Sequence, residues 1–126
     1  MMDIVLSNSS EQPIYEQITL QIKDSIIKGT LKEAEILPSI RNLAKELKIS
    51  VITTKRAYEE LERDGFITIV PGKGTYVAAQ NKDLLRESRI RIVEEKLLEA
   101  VNASKSSDLT FDELVEMLKL LYEEDI

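Results

Sequence analysis

The sequence contains no cysteine, no histidine and no tryptophan. Without thiols or imidazoles it cannot build a disulfide framework, a thiolate or imidazole metal site, a cysteine nucleophile or a histidine general base. No metal site and no cofactor are therefore expected. Only 4 glycines and 3 prolines interrupt 126 residues, and aromatic residues make up 5%. No apolar run approaches the roughly 20 residues of a membrane span, and Met1-Met2-Asp3 lacks the basic start and apolar stretch of a secretion signal. These absences lead to the expectation of a cytoplasmic protein with no membrane partner.

What is present is 43% hydrophobic and 32% charged residues. That balance suits a folded, helix-rich chain, long enough for one ordinary domain and an appendage. The net charge of -6 argues, taken alone, against a nucleic-acid partner. Its distribution matters more. Residues 1–80 carry 10 basic and 11 acidic side chains, whereas residues 81–126 carry 7 and 12. Between Arg41 and Arg56 stand five basic residues (Arg41, Lys45, Lys48, Lys55, Arg56) against one acid, Glu46. Screening confines each charge to about 8–10 Å, so a local basic face on an acidic chain can still meet a phosphate backbone.

Ile14, Ile18, Ile22 and Ile26 recur at every fourth position, one apolar stripe on a helix over 13–28 that opens at Pro13 and stops at Gly29. A second, short helix follows Leu37-Pro38-Ser39, with Ser39 as N-cap and Leu43, Ala44 and Leu47 inward. Lys48-Ile49-Ser50 is a turn, and Ser50 caps a third helix that buries Ala57, Tyr58 and Leu61 and ends at Gly65. The period then changes. Phe66 to Val70 and Thr75 to Ala78 are β-rich around the turn Pro71-Gly72-Lys73-Gly74, which reads as a hairpin. Three helices and a hairpin, with a tight turn between the second and third helices, describe a winged helix-turn-helix over residues 10–79.

Residues 80–83 read as a short linker. A long helix is expected over 84–103, with Ile90, Val93, Leu97 and Val101 at helical spacing, followed by a loop over 104–108. Thr110-Phe111-Asp112-Glu113 is a capping box, and the last helix carries Phe111, Leu114, Val115, Leu118, Leu121 and Tyr122 as an amphipathic stripe. The fold class is thus mainly α with a small β-hairpin: a winged helix-turn-helix followed, over 84–126, by a two-helix hairpin. Such a hairpin cannot hide its apolar face alone. A second copy is the expected cover, giving a homodimer through Ile90, Val93, Leu97, Val101, Leu114, Leu118 and Leu121; the alternative is that it folds back on its own winged domain.

In a helix-turn-helix the first turns of the third helix enter the major groove of double-stranded DNA. Here they hold Ser50, Val51, Ile52, Thr53, Lys55 and Arg56. Thr53 can hydrogen-bond or touch a thymine methyl, Val51 and Ile52 offer apolar contacts, and Lys55 and Arg56 reach phosphate or guanine. Ser39 and Ser50 cap helices whose free amides suit phosphate. Glycines are the usual way to turn a hairpin, but at a wing tip Gly72 and Gly74 also let the backbone approach DNA, with Lys73 in or beside the minor groove.

Tyr15-Glu16-Gln17-Ile18, Leu37-Pro38-Ser39-Ile40-Arg41, Leu43-Ala44, Ile49-Ser50, Thr53, Arg56-Ala57-Tyr58, Leu61, Gly65-Phe66-Ile67 and Gly72-Lys73-Gly74-Thr75-Tyr76-Val77 together resemble the GntR family of bacterial transcription regulators, over residues 13–78. The short tail is similar to that of the YtrA-like subfamily, whose two C-terminal helices mainly dimerise the protein. The resemblance implies DNA contacts at Arg41, at Ser50, Thr53 and Lys55, and at Gly72. It also implies control of a transporter operon by a repressor. Three departures stand out. Glu33-Ala34-Glu35 replaces a common Pro-Gly turn, Val51 stands where many relatives place Arg, and Thr54 where an aliphatic residue is usual.

The expected function is a dimeric regulator that reads a palindromic operator. A small-molecule effector would lie between two tails or between tail and winged domain, because one tail is too small to enclose a pocket of the usual few hundred Å³. The alternative is a winged-helix module that binds protein without DNA. No enzyme activity is expected, since no nucleophile is paired with a base and Glu59, Glu60, Glu94 and Glu95 fall on solvated helix faces.

Overall fold

The isoleucines at every fourth position form the stripe their spacing predicts. In the computed structural model, which describes residues 2–124, helix α1 spans Ile14–Lys28 and closes at Gly29 in the left-handed conformation. Ile18, Ile22 and Ile26 are buried, each contributing about 1.5–3 kcal/mol of apolar burial. Helix α2 (Ile40–Leu47) and helix α3 (Val51–Arg63) follow, both opened by serine caps. Between them Lys48 adopts a left-handed φ of 58° and Ile49 donates its N–H to the Ala44 carbonyl at 3.0 Å, which reverses the chain within three residues. Leu43, Ala57, Tyr58 and Leu61 complete the core that α1 begins.

The hairpin consists of β2 (Ile67–Val70) and β3 (Gly74–Val77), paired in register from Ile67↔Val77 to Val70↔Gly74. It is not alone. A two-residue strand, β1 (Ile36–Leu37), adds to the far edge of β3, giving a three-stranded antiparallel sheet in the order β1-β3-β2. The preceding turn extends this pairing: Ala34 donates to Val77 O and Val77 donates to Glu35 O, both at 2.9 Å. Residue spacing predicts only the hairpin. Two residues are too few to display alternation, and the bonds that define β1 join backbone groups some 40 positions apart.

A second addition lies before α1. Gln17 and Gln21, one turn apart, present primary amides to the extended segment ahead of the helix. Gln21 accepts from the Val5 N–H at 2.9 Å and donates to its carbonyl at 2.7 Å. Gln17 does the same for Ser7 at 2.9 and 3.0 Å. The two side chains thus take the place of a neighbouring strand, and Met2, Ile4 and Leu6 pack against the core.

The described residues divide into two compact units after Arg86. Helix α4 spans Lys82–Ser106, beginning within the first unit and running through the second, and α5 spans Phe111–Glu123. Helix α4 is longer at both ends than the 84–103 expected. Asn81 caps its start, its Oδ1 accepting from Asp83 and Leu84 at 2.9 and 3.1 Å. At its end the expected loop over 104–108 begins only after Ser106. Ser104 and Ser106 turn their hydroxyls onto the Val101 and Asn102 carbonyls at 2.7 and 3.2 Å, so residues that usually compete with a helix sit quietly inside this one. The Thr110–Glu113 capping box forms in both directions, at 3.1 and 3.0 Å.

Candidate DNA-reading surface

The serine caps set the direction of both short helices. Ser39 Oγ accepts from the Asn42 N–H at 3.1 Å, and Ser50 Oγ accepts from the Thr53 N–H at 3.1 Å while donating to Thr53 Oγ1 at 2.8 Å. Each cap satisfies one amide at its helix start and leaves the others directed outward, a ready anion site. Thr54, on the opposite side of α3, is fully buried and donates its hydroxyl to Ser50 O at 3.1 Å. The aliphatic-to-threonine departure therefore costs no unsatisfied polar group.

Tyr58 fixes α3 from beneath. Its side chain is buried and its hydroxyl donates to the Pro38 carbonyl at 2.7 Å. Burial, and secondarily the charge of Glu46, push the phenol well above the ordinary tyrosine range, so it stays a neutral donor. Arg56 stacks on the Tyr15 ring of α1, 3.7 Å from its centroid. That contact joins α3 to α1 through the flat face of the guanidinium and leaves its in-plane N–H groups to other partners. Neither tyrosine is among the expected DNA-contacting residues. The available signal was chemical: a core tyrosine needs a partner for its hydroxyl.

Arg41, Lys45, Lys48, Lys55 and Lys73 are exposed, and among the described residues none has a carboxylate partner, unlike Lys23, Lys28, Arg63 and Lys96. Their charge is uncompensated. Val51 and Ile52 project into solvent at the start of α3, with 51% and 82% exposure. At the hairpin tip, Gly72 takes a φ of 77°, a conformation that costs a side-chain-bearing residue about 1–2 kcal/mol. Lys73 donates its N–H to Val70 O at 2.9 Å, and Tyr76 donates its hydroxyl to Lys73 O at 3.1 Å, which shapes the tip around the lysine. A Cβ on Gly74 would lie 3.4 Å from that same hydroxyl.

In the second unit α5 has no buried residue. Leu97 and Val101 of α4 with Phe111, Leu114, Leu118 and Leu121 of α5 line an open apolar groove of about 230 Å³. Of the residues expected there, Ile90, Val93, Leu97, Leu118 and Leu121 are exposed, and Val101 and Leu114 are half-buried; Ile90 and Val93 do not line the groove.

A capped second helix, a tight turn, a third helix with a bare basic and apolar start, and a hairpin with a lysine at its tip define a winged helix-turn-helix of the DNA-binding kind. Residues 14–77 match the model of the bacterial regulatory proteins of the gntR family, and the chain belongs to that family. It is 34% identical to the HTH-type transcriptional repressor YtrA of Bacillus subtilis (strain 168), over 92% of this chain and 89% of the relative. Among solved structures it resembles YtrA from Sulfolobus acidocaldarius, a GntR-family transcription factor, with a TM-score of 0.58 and 31% identity over 96% of this chain and 97% of that one. It also resembles the AraR DNA-binding domain in complex with operator ORE1, with a TM-score of 0.51 and 26% identity over 62% and 95%. The protein is a DNA-binding transcription regulator, not an enzyme. No helix among the described residues is long and apolar enough to cross a membrane.

Proposed function

We propose that the protein is a homodimeric repressor that occupies an inverted-repeat operator in the cytoplasm. The observation that carries this reading is the bare apolar face of the second unit: a helix pair with no buried side chain but Ser104 among its described residues is the kind of surface a second copy covers. Two-fold symmetry would then present two α3 helices about 34 Å apart, one helical turn of DNA. Val51, Ile52 and Thr53 would face base edges. Ser39, Ser50, Arg41, Lys55, Arg56 and Lys73, with the backbone at Gly72 and Gly74, would hold phosphates. The operator-bound AraR domain supports this use of the shared fold. The repressor YtrA supports the sign of regulation, and control of a transporter operon follows the same resemblance. The groove lining is apolar throughout, and we assign it to the partner copy.

Selection of bound sequences from a random DNA pool, with affinity then followed against salt, tests this. An inverted repeat should emerge, and a dimer neutralising about 6–10 phosphates should lose about 10³–10⁵ in affinity between 50 and 200 mM salt. Lys55→Ala and Lys73→Ala should weaken binding to all sequences alike and flatten that slope. Enrichment of a single unrepeated site by a folded protein would refute the dimeric reading.

A further inference from the structure

The start of α3 is apolar where a DNA reader usually carries hydrogen-bonding side chains. From Ser50 to Thr54 there is no arginine, lysine, asparagine, glutamine or carboxylate. Ser50 spends its hydroxyl on the cap and on Thr53, and Thr54 is turned into the core. Thr53 is half-buried, its hydroxyl oxygen accepting from Ser50; what projects furthest is Val51 and Ile52, the latter 82% exposed, both β-branched and so stiff about χ1. Neither serves the core, which α3 meets through Thr54, Ala57, Tyr58 and Leu61. In the same helix-turn-helix Arg41, Lys48 and Lys55 are exposed and stand without carboxylate partners among the described residues, so the apolar pair belongs to a segment whose charge suits a polyanion rather than an apolar protein surface.

In the major groove each base pair offers acceptors, donors or one apolar group, the thymine C5-methyl. An aliphatic side chain pressed on a donor or acceptor strips its water and returns nothing. Pressed on the methyl it removes apolar surface from both sides. We infer that Val51 and Ile52 read thymine methyl groups, and that each half-site carries thymine beneath the head of α3. This rests on the DNA-binding reading above and adds to it the chemical basis of its specificity.

Deoxyuridine differs from thymidine at this edge by the methyl alone. In the selected operator, replacing thymines by deoxyuridine one position at a time should reveal one or two positions per half-site where affinity falls about 4-fold, the value of one buried carbon group. Val51→Ala and Ile52→Ala, at exposed positions where the fold is not at stake, should bind the thymine and uracil operators nearly equally. Lys55→Ala should weaken both while keeping their ratio. Equal binding of the wild-type protein to thymine and uracil operators overturns the inference and leaves the DNA-binding reading intact, as does an unchanged ratio in both alanine variants. A pool that yields no enriched sequence brings down the operator reading first, and this inference with it.

Discussion

At the residue scale, the departures from the family pattern are where the structure is most informative. Ala34, in the turn marked above as a departure from the resemblance, sits at a left-handed φ of 69°, where a Cβ crowds the backbone. Its N–H is nonetheless needed, bonded to Val77 O, so the chain accepts the strain to close the sheet edge. Ala34→Gly should relieve it and raise stability by up to about 1 kcal/mol, read as an increase in the thermal midpoint; a lower midpoint would mean the left-handed turn is unstrained. Val51 stands half exposed at the head of α3, with 51% of its surface open to solvent. Arg56 shows what a residue-by-residue reading misses. Its charge was plain in the sequence, but its stacking on Tyr15 joins positions 41 residues apart, and no local pattern encodes such a pair.

At the element scale, legibility followed periodicity. The isoleucine stripe of α1, the serine caps of α2 and α3, and the Thr110–Glu113 box are local signals, and all formed. Strand β1 and the segment held by Gln17 and Gln21 depend on distant backbone partners and left no trace in spacing. The end of α4 was misread because serine is ambiguous, a helix breaker or a self-satisfied helix residue according to where its hydroxyl turns. The capping box makes a pH-dependent prediction. The Thr110 backbone N–H, and then its hydroxyl, hold the Glu113 carboxyl below its ordinary value. A depressed carboxylate stabilises the fold fully above the unfolded value of about 4.3 and loses that contribution as pH falls through the folded value. The start of α5 should therefore fray selectively in acid. In an NMR titration Glu113 should have a midpoint below the ordinary glutamate value, and Thr110→Ala should raise it; an unmoved midpoint would show the box is open in solution.

At the scale of the whole molecule, charge and apolar surface are allotted to different tasks. Residues 81–126 carry most of the negative charge and the bare apolar groove, while residues 1–80 are nearly neutral and expose unpaired cations. The sequence made this allotment legible, since counting needs no coordinates, but a covering partner leaves no mark on a single chain. Leu118 lines the groove at 51% exposure. Leu118→Asp should leave the helical content intact and convert the proposed dimer to monomer in sedimentation. Operator affinity should fall by about 10²–10⁴-fold, as the second half-site no longer binds through the first. A dimer that survives would show that the assembly is built on another face.

The bond from the Tyr58 hydroxyl to the Pro38 carbonyl has a consequence at this same scale. Pro38 immediately precedes the Ser39 cap, so one buried hydroxyl keys α3 to the start of α2, as a dowel keeps two machined parts in true. What it confers is tolerance rather than strength. With the two helices keyed, the side chains at the head of α3 hold one bearing relative to the Ser39 cap in every copy of the protein; under the proposed reading of DNA, losing the key would cost accuracy before it cost affinity.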